Sequence, residues 1–265
     1  MSLGYWYRPG SDVRMTQADA LSHLALSDVV LLGEYHDRAD IHRWQMHVAA
    51  GLLAHRPLIM AFEMFPARCD PILAEWVAGD MDEAALLNRT EWSKVWGFPP
   101  ELYLPLFRFC RETGTHMRGL NCNRELVRQV GKGGWEAVPE DDREGLTPAR
   151  PSAEPYRKFI HQLTGGGPPG RQSADPMSPE FYRFVRAQEV WDRSFATHIA
   201  AALQSPGNPI VVGVIGEGHL KWGGGVSWQL ADIGVNSVTV ALPRTCDKPP
   251  LCTGETDLVQ VLPPY

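Results

Sequence analysis

Short apolar runs recur along the chain and are separated by segments with helical periodicity. The first two runs, at residues 29–32 and 58–62, enclose a segment in which Ile41, Trp44 and Val48 recur at helical spacing. A strand, an amphipathic helix and a second strand in this order are typical of a βαβ unit, whose two strands are parallel. The pattern therefore predicts the beginning of a parallel sheet with helices packed on it.

Later parts of the chain continue this plan. A long amphipathic helix is predicted over residues 178–204, with Ser178 as its cap and Pro179 at its first position. The further apolar runs are residues 117–120, PIVVGVIG from Pro209, VNSVTVAL from Val235 and DLVQVL from Asp257. The sequence therefore predicts an α/β fold, a largely parallel β-sheet flanked by helices on both faces.

Residues 1–265 are predicted to form a single domain that contains two distinctive segments. Residues 66–114 are helical in period and rich in tryptophan, which predicts a helical, lid-like insertion. Residues 139–179 are polar and rich in glycine and proline around a short predicted helix near residues 156–163. Such a composition is typical of a mobile segment.

Composition and charge narrow the classes of partner. The 265 residues are 44% hydrophobic and 21% charged, with a net charge of −6 and no long run of lysine and arginine, so nucleic acid is not an expected partner. No apolar run approaches the ~20 residues of a transmembrane segment. The opening MSLGYWYRPG lacks a signal-peptide layout. Two locations stay open: periplasmic or lipid-anchored if Met1 to Leu3 replace a removed leader, and cytoplasmic otherwise.

Several common motifs are absent from the sequence. The five cysteines form no CxxC or CxxCH, which argues against a zinc ribbon and against covalent haem attachment. Cys246 and Cys252 flank DKPPL, and either a local disulfide or two ordinary thiols fits that spacing. The chain also lacks a dinucleotide GxGxxG after a strand, a P-loop and a GxSxG nucleophile elbow.

Polar groups capable of metal binding follow three predicted strands. Glu34 and His36 follow the first strand, Glu63 lies in the second, and His219 follows the strand that begins at Ile210. Because parallel strands present their carboxyl ends at one sheet edge, these residues are expected to share a cleft. They suit zinc, manganese or iron, or general acid–base chemistry. Helix capping or an ordinary hydrogen bond is the alternative for each residue alone.

The nearby polar residues are interpreted as structural. His42 and His47 are expected on the surface of the helix that follows the first strand, because His42 does not share a helical face with His36. Asp37 or Asp40 is expected to cap that helix.

An ordered set of motifs resembles the ChaN-like haem-binding uptake proteins, a branch of the Tiki superfamily. The motifs are LLGEYHDRADIHRWQ, AFEMF, LYLPLFRFCRETG, GLNCNRELVRQV, AQEVWDRSFATHIA and GEGHLKWGGGVSWQLADIG. The resemblance implies an α/β core with a helical portion and a bacterial, iron-regulated role in haem uptake. It also implies haem as ligand, and a lipoprotein or exported location. A homodimer and a haem transport system are expected partners.

The resemblance also implies site residues and one alternative function. Carried over position by position, the family pattern marks Glu34, His36, Glu63, Gln188, Asp192 and His219. In the wider superfamily the two histidine motifs belong to proposed metal-dependent proteases. The alternative is therefore a hydrolase in which Glu34, Glu63, His36 and His219 hold a divalent metal such as zinc or manganese and activate water.

Haem binding requires an axial ligand and an apolar slot. The candidate ligands are Tyr103, which the resemblance favours, then Tyr35, His36 and His219. Trp92, Trp96, Phe98 and Phe107 are candidates for the walls of the slot. Core packing is the alternative for Tyr103 and for these aromatic residues. A third hypothesis is an interaction domain in which the polar cluster is only a hydrogen-bond network.

Overall fold

The computed structural model describes residues 4–11 and 13–263 and contains one eight-stranded sheet. Residues 1–3, where a removed leader would be sought, lie outside this part. In chain order the strands are β1 (Tyr5–Tyr7), β2 (Arg14–Met15), β3 (Val29–Glu34), β4 (Leu58–Pro66), β5 (His116–Asn121), β6 (Ile210–Gly216), β7 (Val238–Thr245) and β8 (Leu258–Leu262). Their order across the sheet is β2-β1-β8-β7-β3-β6-β4-β5.

The predicted parallel sheet is confirmed. Neighbouring strands from β8 to β5 are all parallel, and only β1 and β2 at the opposite edge are antiparallel. These two short strands were not predicted, because runs of three and two residues are too short to establish a period. The last two predicted strands are present, but β7 begins three residues later than the apolar run that starts at Val235.

Helices cover both faces of the sheet, as predicted. They are α1 (Gln17–Leu24), α2 (Ala39–Leu53), α3 (Asp70–Ala78), α4 (Glu83–Arg89), α5 (Trp92–Val95), α6 (Leu104–Thr113), α7 (Arg124–Gly133), α8 (Glu154–Thr164), α9 (Pro179–Ala202) and α10 (Gly225–Asp232). Short 3₁₀ helices occupy Ala67–Cys69, Pro100–Leu102, Trp135–Ala137, Glu140–Asp142, Glu217–His219 and Lys221–Gly223. The predicted cap of the long helix is present, since the Ser178 side chain accepts a hydrogen bond from Phe181 N.

Alternate residues of the buried strands enter two separate cores. Val30 and Leu32 pack with α2, α3 and α6 on one face, whereas Val29 and Leu31 pack with α9 and α10 on the other. This follows from the two-residue period of a strand. Apart from both cores, α8 and the first half of α9 bury a small cluster of their own: Tyr156, Ile160, Phe181 and Val185.

The two distinctive segments contain regular structure. Helices α3 to α6 occupy residues 66–114 and contribute Leu73, Trp76 and Phe107 to the same core as the sheet. Residues 139–179 include α8 and one 3₁₀ helix. The lid role of the first segment, the mobility of the second and the single-domain organisation stay predictions.

The predicted aspartate cap of α2 is wrong: Arg38 is the N-cap residue and forms no side-chain cap, because a guanidinium only donates hydrogen bonds, and it donates to the Asp40 carboxylate. Cys246 and Cys252 are exposed free thiols. Among the described helices, none is both long and apolar enough to cross a membrane.

Candidate functional site

The carboxyl ends of the three central strands bring the two predicted glutamates together. In the parallel register, Glu34 of β3 lies beside Gly216 of β6, and β4 lies on the other side of β6. Glu63 of β4 reaches across this gap, where its Oε2 accepts a hydrogen bond of 2.6 Å from Gly216 N. The two carboxylates therefore flank the last residue of β6.

Gly216 leaves the space in which the cluster forms. A Cβ atom at this position would lie 3.0 Å from His36 Cε1 and 3.3 Å from Glu63 Oε2. Any side chain here would push the imidazole and the carboxylate apart, since contacts this short are tighter than normal packing. Glycine at this position therefore permits the close approach of His36 and Glu63.

Glu34, His36 and Glu63 form a candidate metal centre. Each offers one ligand atom, and these atoms lie within 4.8 Å of one another. His36 Nδ1 is 2.6 Å from Glu34 Oε1, whereas Glu34 Oε2 is buried and accepts no hydrogen bond, although His42 Nδ1 lies 3.1 Å from it. A buried carboxylate oxygen without a hydrogen bond is costly, and a cation is the type of ligand that would satisfy it. The geometry fits a divalent ion with imidazole and carboxylate ligands.

His42 lies beneath this centre, so its predicted surface position is wrong. Its side chain is 1% exposed, and its Nδ1 lies 3.1 Å from both Glu34 Oε2 and Gln45 Oε1. The reason is that α2 begins only at Ala39, which places His42 in the first turn, and helical side chains point back toward the N-terminus. His47 is exposed as predicted.

His219 adjoins the candidate metal centre from the face of the sheet on which α9 packs. Its Nε2 lies 3.7 Å from Glu63 Oε1, and its Nδ1 lies 2.6 Å from Asp192 Oδ1. Gln188, one turn before Asp192 on α9, places its amide nitrogen 3.0 Å from the same ring. All six residues that the resemblance marked therefore lie together.

Tyr156 supports His219 and was not identified from the sequence. Its buried hydroxyl lies 3.1 Å from Asp192 Oδ2 and 3.0 Å from the Gly218 carbonyl oxygen, and it can donate to either. It lies at the start of the short helix predicted within the polar segment 139–179, and nothing in the sequence there marks it as a neighbour of the site. The tyrosine therefore connects α8 with both the carboxylate and the loop that position His219.

Charge interactions outweigh burial at both site histidines. Burial lowers the pKa of His219, but the neighbouring Asp192 and Glu63 carboxylates raise it above its ordinary value. Burial likewise lowers the pKa of His36, and its hydrogen bond with Glu34 together with the charge of Glu63 produces a net rise. Burial raises the pKa of Glu63 and of Asp192. The folded site therefore holds protons more tightly than the unfolded chain.

This proton binding predicts a loss of stability above about pH 6.5, the ordinary pKa of histidine. A raised histidine pKa contributes stability that is complete below the unfolded pKa and is lost as pH rises through the folded pKa. Each unit of difference corresponds to about 1.4 kcal/mol. Urea unfolding at about pH 6 and pH 8.5 should show this fall, and Asp192→Asn should reduce it by removing the charge that holds the His219 proton.

His47→Asn is the matched control, because His47 is exposed on α2. The lowered pKa values of His23 and His198 act in the opposite direction, because they add stability as pH rises through the ordinary histidine value, but they do so equally in the intact protein and in both variants. Since His36 contributes in the same direction as His219, Asp192→Asn should retain part of the slope. An unchanged slope in Asp192→Asn would show that the ion pair with His219 does not control it.

The two candidate tyrosines lie on different sides of the cluster. Tyr103 is fully buried at the start of α6, and its hydroxyl donates to Glu34 Oε1 over 3.2 Å. Burial and the Glu34 charge raise its pKa well above the ordinary value. Tyr35 is 38% exposed, and burial together with Glu217 raises its pKa to about 12. Tyr35 is therefore the accessible phenol.

The four candidate aromatic residues divide into two pairs. Trp96 and Phe98 contact the His36 ring, with ring centroids 4.7 and 5.1 Å away, and both are only partly buried. Trp92 and Phe107 are buried in the main core. Only the first pair is placed to cover a ligand at His36.

Comparison with solved structures confirms the fold class. "Cofacial heme binding to ChaN of Campylobacter jejuni" describes a structure that is similar at 17% identity, with 97% of this chain and 96% of that chain covered and a TM-score of 0.74. The type III effector HopBA1 is similar at 10% identity, 92% and 90% coverage and a TM-score of 0.51. A mutant of erythromycin esterase EreC in its open conformation gives 12% identity, 98% and 83% coverage and a TM-score of 0.50.

Sequence comparison identifies the family. No match is found among curated proteins. The profile described as "Haem-binding uptake, Tiki superfamily, ChaN" matches residues 20–230, which is most of the chain and includes every residue of the cluster. The chain thus belongs to the ChaN family of haem-binding uptake proteins within the Tiki superfamily.

Proposed function

We propose that this protein binds haem and serves in bacterial haem or iron uptake. The observation that carries the proposal is the family match over residues 20–230, together with a related structure that describes haem bound to ChaN. A homodimer, a haem transport system as partner, and a periplasmic or lipid-anchored location belong to the same proposal. The hydrolase alternative is not favoured, since the family match is to haem-binding proteins.

Tyr35 is the proposed axial ligand. It is the exposed phenol at the site, and ferric haem accepts a tyrosine phenolate. His36 is the next candidate, since its side chain is 33% exposed beside Trp96 and Phe98. His219, at 12%, and Tyr103 are less accessible. Bound haem would supply ferric iron to the Tyr35 phenolate.

Optical titration of the purified protein with haemin tests haem binding. A saturable shift of the Soret band, with one stoichiometric end point, is the expected result. Titration at two protein concentrations, combined with size-exclusion chromatography, would show whether binding is linked to a homodimer. Absence of a saturable shift in folded protein would reject the proposed function.

A further inference from the structure

A cationic groove opens beside the candidate site at the same sheet edge. It has a volume of about 300 Å³ and lies where β3 and β7 end. We call it the Arg244 groove; Tyr35, Arg38, Arg244 and Lys248 line it, together with the apolar side chains of Ile41 and Leu262. Cations above an apolar surface suit an organic anion, because charge and carbon skeleton are recognised together.

Two of the three cations in the Arg244 groove are available to a ligand. The Arg38 guanidinium is bound by Asp40 through two hydrogen bonds of 2.9 and 2.6 Å. Arg244 uses its Nε for the Pro249 carbonyl oxygen, which leaves its terminal nitrogens free of any carboxylate partner among the described residues. Among the described residues, Lys248 forms no ion pair either. Asp37 and the adjacent Asp247 weaken the positive field without pairing with either cation.

Tyr35 connects the groove with the metal-binding cluster. Successive side chains at a strand end point to opposite sides, so Glu34 and His36 enter the cluster while Tyr35 turns away from it. The Tyr35 hydroxyl interacts with Glu217 and Arg244. A ligand in the Arg244 groove would therefore contact a residue directly adjacent in sequence to both Glu34 and His36.

We propose that the Arg244 groove is a binding site for a ligand with two carboxylates, held by Arg244 and Lys248 with its carbon skeleton against Ile41 and Leu262. Guanidinium and ammonium groups form strong charge-assisted hydrogen bonds with carboxylates. The volume lies at the lower end of small-molecule sites, so the groove accepts a small di- or tricarboxylate or the propionate arms of haem, but not a porphyrin ring. The haem source rests on the proposed function.

Calorimetric titration with citrate tests the free-carboxylate source. Intact protein at low ionic strength should bind citrate and should not bind its uncharged trimethyl ester. The double variant Arg244→Gln with Lys248→Gln should weaken citrate binding about tenfold or more, because both charge-assisted contacts are lost. The matched control, Lys132→Gln with Arg171→Gln, removes two exposed cations outside the groove and should bind citrate as the intact protein does.

Haemin and its dimethyl ester test the propionate source. If the groove holds the propionates, intact protein should bind haemin about tenfold or more tightly than the ester, and the double variant should abolish this preference. The ester retains the iron and the ring, so its binding reports the proposed haem function separately.

Loss of either carboxylate preference in the double variant, but not in the control, supports the site and identifies its source. The inference is overturned if the folded protein neither binds citrate nor prefers haemin to its ester. It is also overturned if these preferences survive in the double variant. Haem binding without any carboxylate preference would reject the groove and leave the proposed function intact.

Discussion

Tyr35→Phe is expected to weaken haemin binding by about 100-fold and to remove the visible spectrum of tyrosine-ligated ferric haem. The phenol oxygen would be the iron ligand, and changes even to groups that only support a metal ligand cost about 10- to 100-fold in affinity. The Tyr35 side chain is partly exposed and outside the main core, so its loss should not unfold the protein. Optical titration and electron paramagnetic resonance would measure both effects.

Tyr103→Phe is the matched control. It removes the same hydroxyl type, but from a fully buried residue that donates to Glu34. It should leave haemin affinity within a few-fold of the intact protein's and lower stability by about 1 kcal/mol through the lost hydrogen bond. If Tyr103→Phe abolishes the tyrosine spectrum and Tyr35→Phe does not, Tyr35 is not the ligand and the cluster must open to admit haem.

Zinc or manganese should stabilise the protein through the Glu34, His36 and Glu63 cluster. A divalent ion would neutralise two buried carboxylates, one of which has an oxygen without a hydrogen bond. At a free metal concentration about 100 times the Kd, the gain in the free energy of unfolding is about 2.7 kcal/mol. Thermal unfolding of protein treated with a chelator, with and without added metal, would measure this gain.

Glu34→Gln separates metal binding from folding. Without metal, this variant should be at least as stable as the intact protein, because it removes one of two neighbouring buried carboxylates whose proximity serves function more than folding. It should lose the metal-dependent gain. Glu75→Gln, in an exposed ion pair on α3, should retain it. A metal effect of equal size in Glu34→Gln would place the ion elsewhere.

The sheet and the principal site residues could be predicted from the sequence for one physical reason. Apolar runs mark buried parallel strands, and a parallel sheet collects its strand ends at one edge. Glu34, Glu63 and His219 therefore converge although they are distant in sequence. The family resemblance added Asp192 and Gln188, which face His219 from a helix whose period alone gives them no special role.

The side chains whose positions the sequence does not predict are oriented by local details of the backbone, such as the residue at which a helix begins. The sequence predicts a surface position for His42 because helical period gives the faces of a helix but not its first residue, and α2 begins late enough to turn His42 inward. Tyr156 lies at the start of the short helix predicted within a polar segment, and the sequence does not show that it enters a small core. The family resemblance favours Tyr103 over Tyr35 as the haem ligand, whereas burial favours Tyr35, because its phenol is exposed and that of Tyr103 is fully buried.

The small cluster under α8 has a consequence for the lifetime of the site. Tyr156 belongs to that cluster and also binds Asp192 and Gly218, which position His219. Four buried side chains stabilise much less than the two large cores, so this part should open by sub-global unfolding before the sheet does. The rate at which buried His219 exchanges protons and ligands with solvent would then be governed by the opening of this small cluster, while the sheet that carries Glu34 and Glu63 stays folded.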